Sequence, residues 1–76
     1  MKDLVEFIAK NLVDRPEEVH VSEIEGEKAV VYELRVGQGE LGRVIGKGGR
    51  TAQSMRVLLN AAAAKQGKRV VLEILE

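Results

Sequence analysis

A chain of 76 residues, 45% apolar and 32% charged, has room for one domain with one modest core and reads as globular rather than disordered. It has no cysteine and one histidine, which excludes a disulfide framework and a thiolate or paired-imidazole metal site. The formal net charge is zero, no apolar run reaches the roughly 18–20 residues that span a bilayer, and Met1–Phe7 lacks the pattern of a signal peptide, so the cytoplasm is the expected location.

Asp3 is expected to open a first helix, with Glu6 three residues on completing a capping box. Leu4, Phe7, Ile8 and Leu12 recur at helical spacing, and Phe7 reads as core. Pro16 disfavours helical geometry in Arg15, so the helix should stop near Asp14. Val19–Ile24 has the β-branched content of a strand, and Glu25-Gly26-Glu27-Lys28 supplies a turn. Val30, Tyr32, Leu34 and Val36 then alternate with Val31, Glu33 and Arg35, which predicts a second strand with one buried face, paired antiparallel with the first.

Gly37-Gln38-Gly39 ends that strand, and Glu40 to Ile45 can form only a turn or two of helix before the glycines at 46, 48 and 49. A longer helix is predicted over residues 50–66, with Ala52, Met55, Leu58, Leu59, Ala62 and Ala63 along one side. Gly67 ends it, and Arg69–Leu75 reads as a last strand with Val70, Leu72 and Ile74 facing one way. The order is helix, strand, strand, helix, helix, strand. A two-helix crossover makes the last two strands parallel, which gives an α+β fold with a three-stranded mixed sheet and helices on one face. No internal repeat or linker interrupts the chain.

The neutral total conceals a division. Residues 1 to 38 carry five basic and nine acidic side chains, whereas residues 41 to 69 carry seven basic ones (Arg43, Lys47, Arg50, Arg56, Lys65, Lys68, Arg69) and no acid. A solvated helix face would explain some of this, but the basic block also surrounds Gly46-Lys47-Gly48-Gly49. Glycine admits positive φ and close backbone approach, and the start of the following helix offers unpaired N–H groups to an anion. Lys47, Arg43 and Arg50 add charge there, and Thr51 is placed to cap the helix or to donate to a phosphate oxygen. Leu41, Val44 and Ile45 offer apolar surface beside the turn. Phosphates on one side and unstacked bases on the other are what a single nucleic-acid strand requires.

Val44-Ile45-Gly46-Lys47-Gly48-Gly49 resembles the signature loop of the KH domain, whose Gly-x-x-Gly turn clamps about four nucleotides of backbone. The whole chain is similar to the small bacterial single-KH proteins, the KhpA (YlqC-like) family, including the Leu12-Val13-Asp14-Arg15-Pro16 end of the first helix. The resemblance implies a type II arrangement, with an accessory helix and strand over about 1–26 and a core strand-helix-loop-helix-strand over about 28–76. It implies that Gly46–Gly49 hold RNA backbone and that Leu41 and Ile45 line a base groove. The implied RNA-binding set is Leu41, Arg43, Ile45, Gly46, Lys47, Gly48, Gly49, Arg50 and Thr51. Ala52 stands where many KH domains place a large aliphatic residue. The family further implies RNA-chaperone or post-transcriptional roles, self-association, and pairing with a larger KH-domain protein.

Other motifs fall away. Gly37-Gln38-Gly39-Glu40-Leu41-Gly42 matches a dinucleotide fingerprint, but the chain is too short and no acid follows at the required distance. Gly42–Gly48 misses a P-loop by one spacer residue, and no Ser or Thr follows Lys47. His20, Ser22 and Ser54 have no catalytic company, so neither an enzyme nor a cofactor is expected. Phe7 and Tyr32 are the only aromatics, too few for the stacking platform of RRM or OB modules. A protein-interaction module is the competing reading: Val57, Ala61 and Ala64 form a second face on the long helix, and Val5, Ala9 and Val13 form one on the first.

Overall fold

The alternation of Val30, Tyr32, Leu34 and Val36 builds the central strand. In the computed structural model, which describes all residues from Met1 to Glu76, Val30, Tyr32 and Leu34 are buried on one face of β2 (Ala29–Arg35), and Val36 is buried just beyond its end. β1 (His20–Glu25) pairs with it antiparallel, from His20 opposite Arg35 to Glu25 opposite Val30. β3 (Arg69–Leu75) pairs on its other side in parallel, from Ala29 beside Arg69 to Arg35 beside Leu75. The sheet order is thus β1-β2-β3, mixed as expected.

Three α-helices, α1 (Lys2–Lys10), α2 (Leu41–Ile45) and α3 (Arg50–Ala64), complete the fold, with 3₁₀ turns over Pro16–Glu18 and Lys47–Gly49. None is long and apolar enough to cross a membrane. One core cluster joins Val5 and Ala9 of α1, Val44 of α2 and Met55, Leu59 and Ala63 of α3 to the inner sheet face, where Val21, Val30, Tyr32, Leu34, Val70 and Leu72 lie. The outer face carries His20, Ser22 and Glu73 in the open, as expected of strand residues opposite a core.

The first helix departs from its predicted form. It begins at Lys2 with Met1 in the capping position and no side-chain cap, so the Asp3–Glu6 box does not form. It ends at Lys10 rather than near Asp14, because the Asn11 amide bonds the Phe7 carbonyl and the Leu12 N–H turns back to Ala9. Its inward face is Val5 and Ala9, assigned above with Val13 to a second surface, while Phe7 is 66% exposed rather than core. Two apolar stripes compete on this helix, and the smaller side chains let it lie closer to the sheet. On α3 the buried residues are Ala52, Met55, Leu59 and Ala63; Leu58 and Ala62 face outward, and the helix stops at Ala64.

Asn60 and Arg56 fix α3 to the free edge of β3. The Val70 N–H donates to Asn60 Oδ1 at 2.9 Å, Asn60 Nδ2 donates to the Val70 carbonyl at 3.3 Å, and Arg56 Nη2 donates to the Leu72 carbonyl at 3.0 Å. These side chains satisfy backbone groups that a neighbouring strand would otherwise pair.

Tyr32, buried beneath α3, has its phenol pushed above its ordinary value, first by burial and then by the charges of Glu23 and Glu25. A group whose folded pKa is raised stabilises the fold below its unfolded value, about 10, and that stability is lost as pH climbs through the folded value. Tyrosinate absorbance should therefore appear later than in a free tyrosine and together with loss of helical circular dichroism. A titration finished near pH ~10 with the dichroism intact would show that the phenol reaches solvent.

Candidate nucleic-acid interface

Val44, fully buried, anchors α2 in the core. One turn apart, Leu41 and Ile45 share a face and stand half-buried beside the loop. Arg43, two residues from each, emerges on the far flank, where its Nη2 lies 3.1 Å from Asp14 Oδ2. Glu40, immediately before α2, is the one buried charged residue, at 5% exposure. Its Oε1 accepts the N–H groups of Asp14 at 2.7 Å and Arg15 at 3.1 Å. Its Oε2 has no hydrogen-bond partner and lies 3.8 Å from Arg15 Nε.

Gly46 leaves α2 with φ +79° and ψ 170°, a combination that residues with a Cβ avoid. A Cβ there would also sit inside the Thr51 side chain. Thr51 therefore walls the loop instead of capping α3, whose N-cap is Gly49 without any side-chain bond. Gly48 and Gly49 adopt left-handed φ values of 64° and 78°, yet a Cβ at either would meet nothing within 4 Å. Conformation is the constraint at those two positions; at Gly46 it is conformation and space together.

The first turn of α3 contains no acid, so the positive end of a 15-residue helix is left without a neutralising carboxylate. Lys47, Gly48 and Arg50 are exposed at the tip, and neither cation forms an ion pair. The rest of the basic block is partly committed: Arg43 to Asp14, Lys68 to Glu25 and Arg56 to the Leu72 carbonyl. The structure thus brings Gly46, Lys47, Gly48, Gly49, Arg50 and Thr51 together at one tip with Leu41 and Ile45 alongside, while Arg43, 56% exposed, is ion-paired with Asp14. Ala52, in the first turn of α3, is buried. The two concavities, of about 290 and 280 Å³, lie elsewhere, one between Met1, Tyr32 and Ala62 and the other beside Asp3 and Phe7. The surface beside the loop is open and shallow.

Sequence reading missed Glu40 and its hold on Asp14 and Arg15. The available signal was its position, the last acid before the basic block and one residue ahead of a helix too short to stand alone.

Comparisons with known proteins cover nearly the whole chain. The family model described as KhpA/KhpB, KH domain, matches residues 2–74. "RNA-binding protein KhpA" of Aquifex aeolicus is 62% identical over 76 residues, spanning 100% of this chain and 96% of its own. The protein of that name from Clostridium perfringens is 53% identical over 75 residues, 99% of this chain and 100% of its own. The one from Chlamydia muridarum is 49% identical over 76 residues, 100% and 97% respectively. No solved structure matches the chain.

The two kinds of glycine separate by substitution. Gly46→Ala should destabilise the fold by about 2 kcal/mol or more, from strain and displacement of Thr51, whereas Gly48→Asn should cost about 1 kcal/mol or less. Urea unfolding measures both, and equal losses would contradict the distinction.

Proposed function

The chain belongs to the KhpA/KhpB family of KH domains, and from that membership and the loop geometry we propose that it binds single-stranded RNA by clamping the phosphate backbone on Gly46–Gly49. The observation that carries the reading is the unneutralised tip, where two unpaired cations and an acid-free helix start surround a glycine turn. Lys47 and Arg50 meet phosphate oxygens, and Gly48 and Gly49 let the backbone approach. Leu41 and Ile45 supply the surface on which bases rest. With no aromatic platform and both concavities away from the loop, base contacts are shallow, sequence preference is modest and affinity is about micromolar. We place the accessory helix and strand at about 1–26 and the RNA-binding core at about 28–76. The reading is of a cytoplasmic binding module rather than an enzyme, acting as an RNA chaperone or post-transcriptional regulator.

Fluorescence polarisation with a short randomised single-stranded RNA tests the clamp. A Lys47→Asp, Gly48→Asp variant places two carboxylates at the tip, and the left-handed conformation at residue 48 accommodates Asp. It should stay folded by circular dichroism and lose binding by about tenfold or more. Undiminished binding would reduce the loop to a helix corner.

A second reading rests on exposed apolar side chains. Val57 and Leu58 on α3 are 58% and 57% exposed, and Ala61 and Ala64 continue the outward face. Small residues allow close helix approach, so this face suits a second copy or a larger KH-domain partner, and pairing two loops on one RNA raises avidity. Sedimentation equilibrium should show a dimer that Val57→Glu dissociates; a monomer at tens of micromolar would remove the self-association.

A further inference from the structure

The corner Leu12-Val13-Asp14-Arg15-Pro16 lies on the opposite flank of α2 from Leu41 and Ile45, yet it grips the segment that leads into the loop. The Asp14 and Arg15 N–H groups both donate to the buried Glu40 carboxylate, and Asp14 pairs with Arg43. Arg15 donates to the Gln38 carbonyl and forms ion pairs with Glu18 at 3.4 Å and Glu40 at 3.8 Å. Gly37 completes the fit, since a Cβ there would lie 2.9 Å from both Arg15 Nη2 and Glu18 Oε1. Residues 37, 38, 40 and 43 are therefore all held by one five-residue corner and the turn that follows it.

Such a bracket answers a mechanical need. A five-residue helix closes little more than a turn of hydrogen bonds and has no intrinsic stability, and Gly39 and Gly42 loosen the chain around it. Val44 fixes its depth in the core and Leu41 packs partly buried against the same cluster, which holds the inner side of the helix. Glu40 at its start and Arg43 on its outer flank tie down the side that the core does not reach.

Resting on the clamp reading, we propose that Asp14, Glu40 and Arg43 are positioning residues for the phosphate loop, with Arg43 orienting α2 through Asp14 instead of contacting RNA. Arg43 meets Asp14 through Nη2, and the Asp14 carboxylate repels an anion that approaches the same guanidinium. Its contribution to affinity is geometric, and Asp14 is as necessary to it as Arg43 is.

Salt dependence and charge reversal separate the two roles. With a fluorescein-labelled oligouridylate in polarisation assays, Lys47→Ala should lower the slope of log affinity against log salt by about 0.7, the loss of one single-strand phosphate contact. Arg43→Ala should weaken binding about two- to fivefold, the range an exposed ion pair supplies, with the slope unchanged. Arg43→Asp should be weaker still, and the reversed pair Asp14→Arg, Arg43→Asp should return to within about twofold of wild type, since the coupling belongs to the pair. Glu40→Gln, which retains an oxygen for both N–H groups, should bind nearly as wild type does, whereas Glu40→Ala should not. Circular dichroism checks each fold. A lowered slope in Arg43→Ala together with no recovery in the reversed pair would overturn the proposal and make Arg43 a phosphate ligand. Gly48→Asp in the same assay guards the premise: its binding as wild type would remove the clamp itself, whatever Arg43 does.

Discussion

Parallel pairing of β2 with β3 is the constraint on which the rest of the molecule depends. Antiparallel neighbours can be joined by a tight turn, as β1 and β2 are, but parallel ones require the chain to travel the length of the sheet before it re-enters. Here that return path is α2, the glycine turn and α3. The helices must cover the inner face to bury Val44, Met55, Leu59 and Ala63, and the break between them must then project from the globule. The exposed glycine tip is thus a by-product of strand direction, a corner that the topology had to make.

The same topology explains how a molecule with no net charge can present a cationic surface. Ten of the twelve acids lie between Asp3 and Glu40, and the crossover has none. Folding then spends some cations internally. Arg43 and Lys68 meet acids from the first half of the chain, and Arg56 meets a carbonyl. Lys47 and Arg50 are left facing water at the tip. What matters to a polyanion is this local remainder, because screening confines its reach to roughly 8–10 Å at physiological salt.

Elements whose pattern depends on backbone period alone were legible in the sequence. The alternation in Val30–Val36 and in Val70–Ile74, the glycine turn and the parallel crossover are all as read. The inward face of α1 was not, because Leu4-Phe7-Ile8 and Val5-Ala9 both satisfy helical spacing and only packing distance chooses between them. The candidate site was legible in its tip residues, which are adjacent in sequence. Glu40 with Asp14, and Asn60 with the edge of β3, join residues far apart along the chain, and no local pattern announces them. Arg43 shows the same limit: its neighbours along the chain suggested phosphate, and its neighbour in space is an acid.

The attachment of Asn60 and Arg56 to β3 also limits how copies of this chain can assemble. An open sheet edge is a template on which further strands can be laid, and repeated addition leads to filaments. On the β3 side that template is occupied at Val70 and at the Leu72 carbonyl by side chains of the protein's own helix. On the β1 edge Glu23 and Glu25 place charge along the strand, which discourages pairing with another chain. Contacts between helix faces, in contrast to strand addition, close after two subunits when related by a twofold axis. A protein built to meet a long polymer is in this way kept from becoming one.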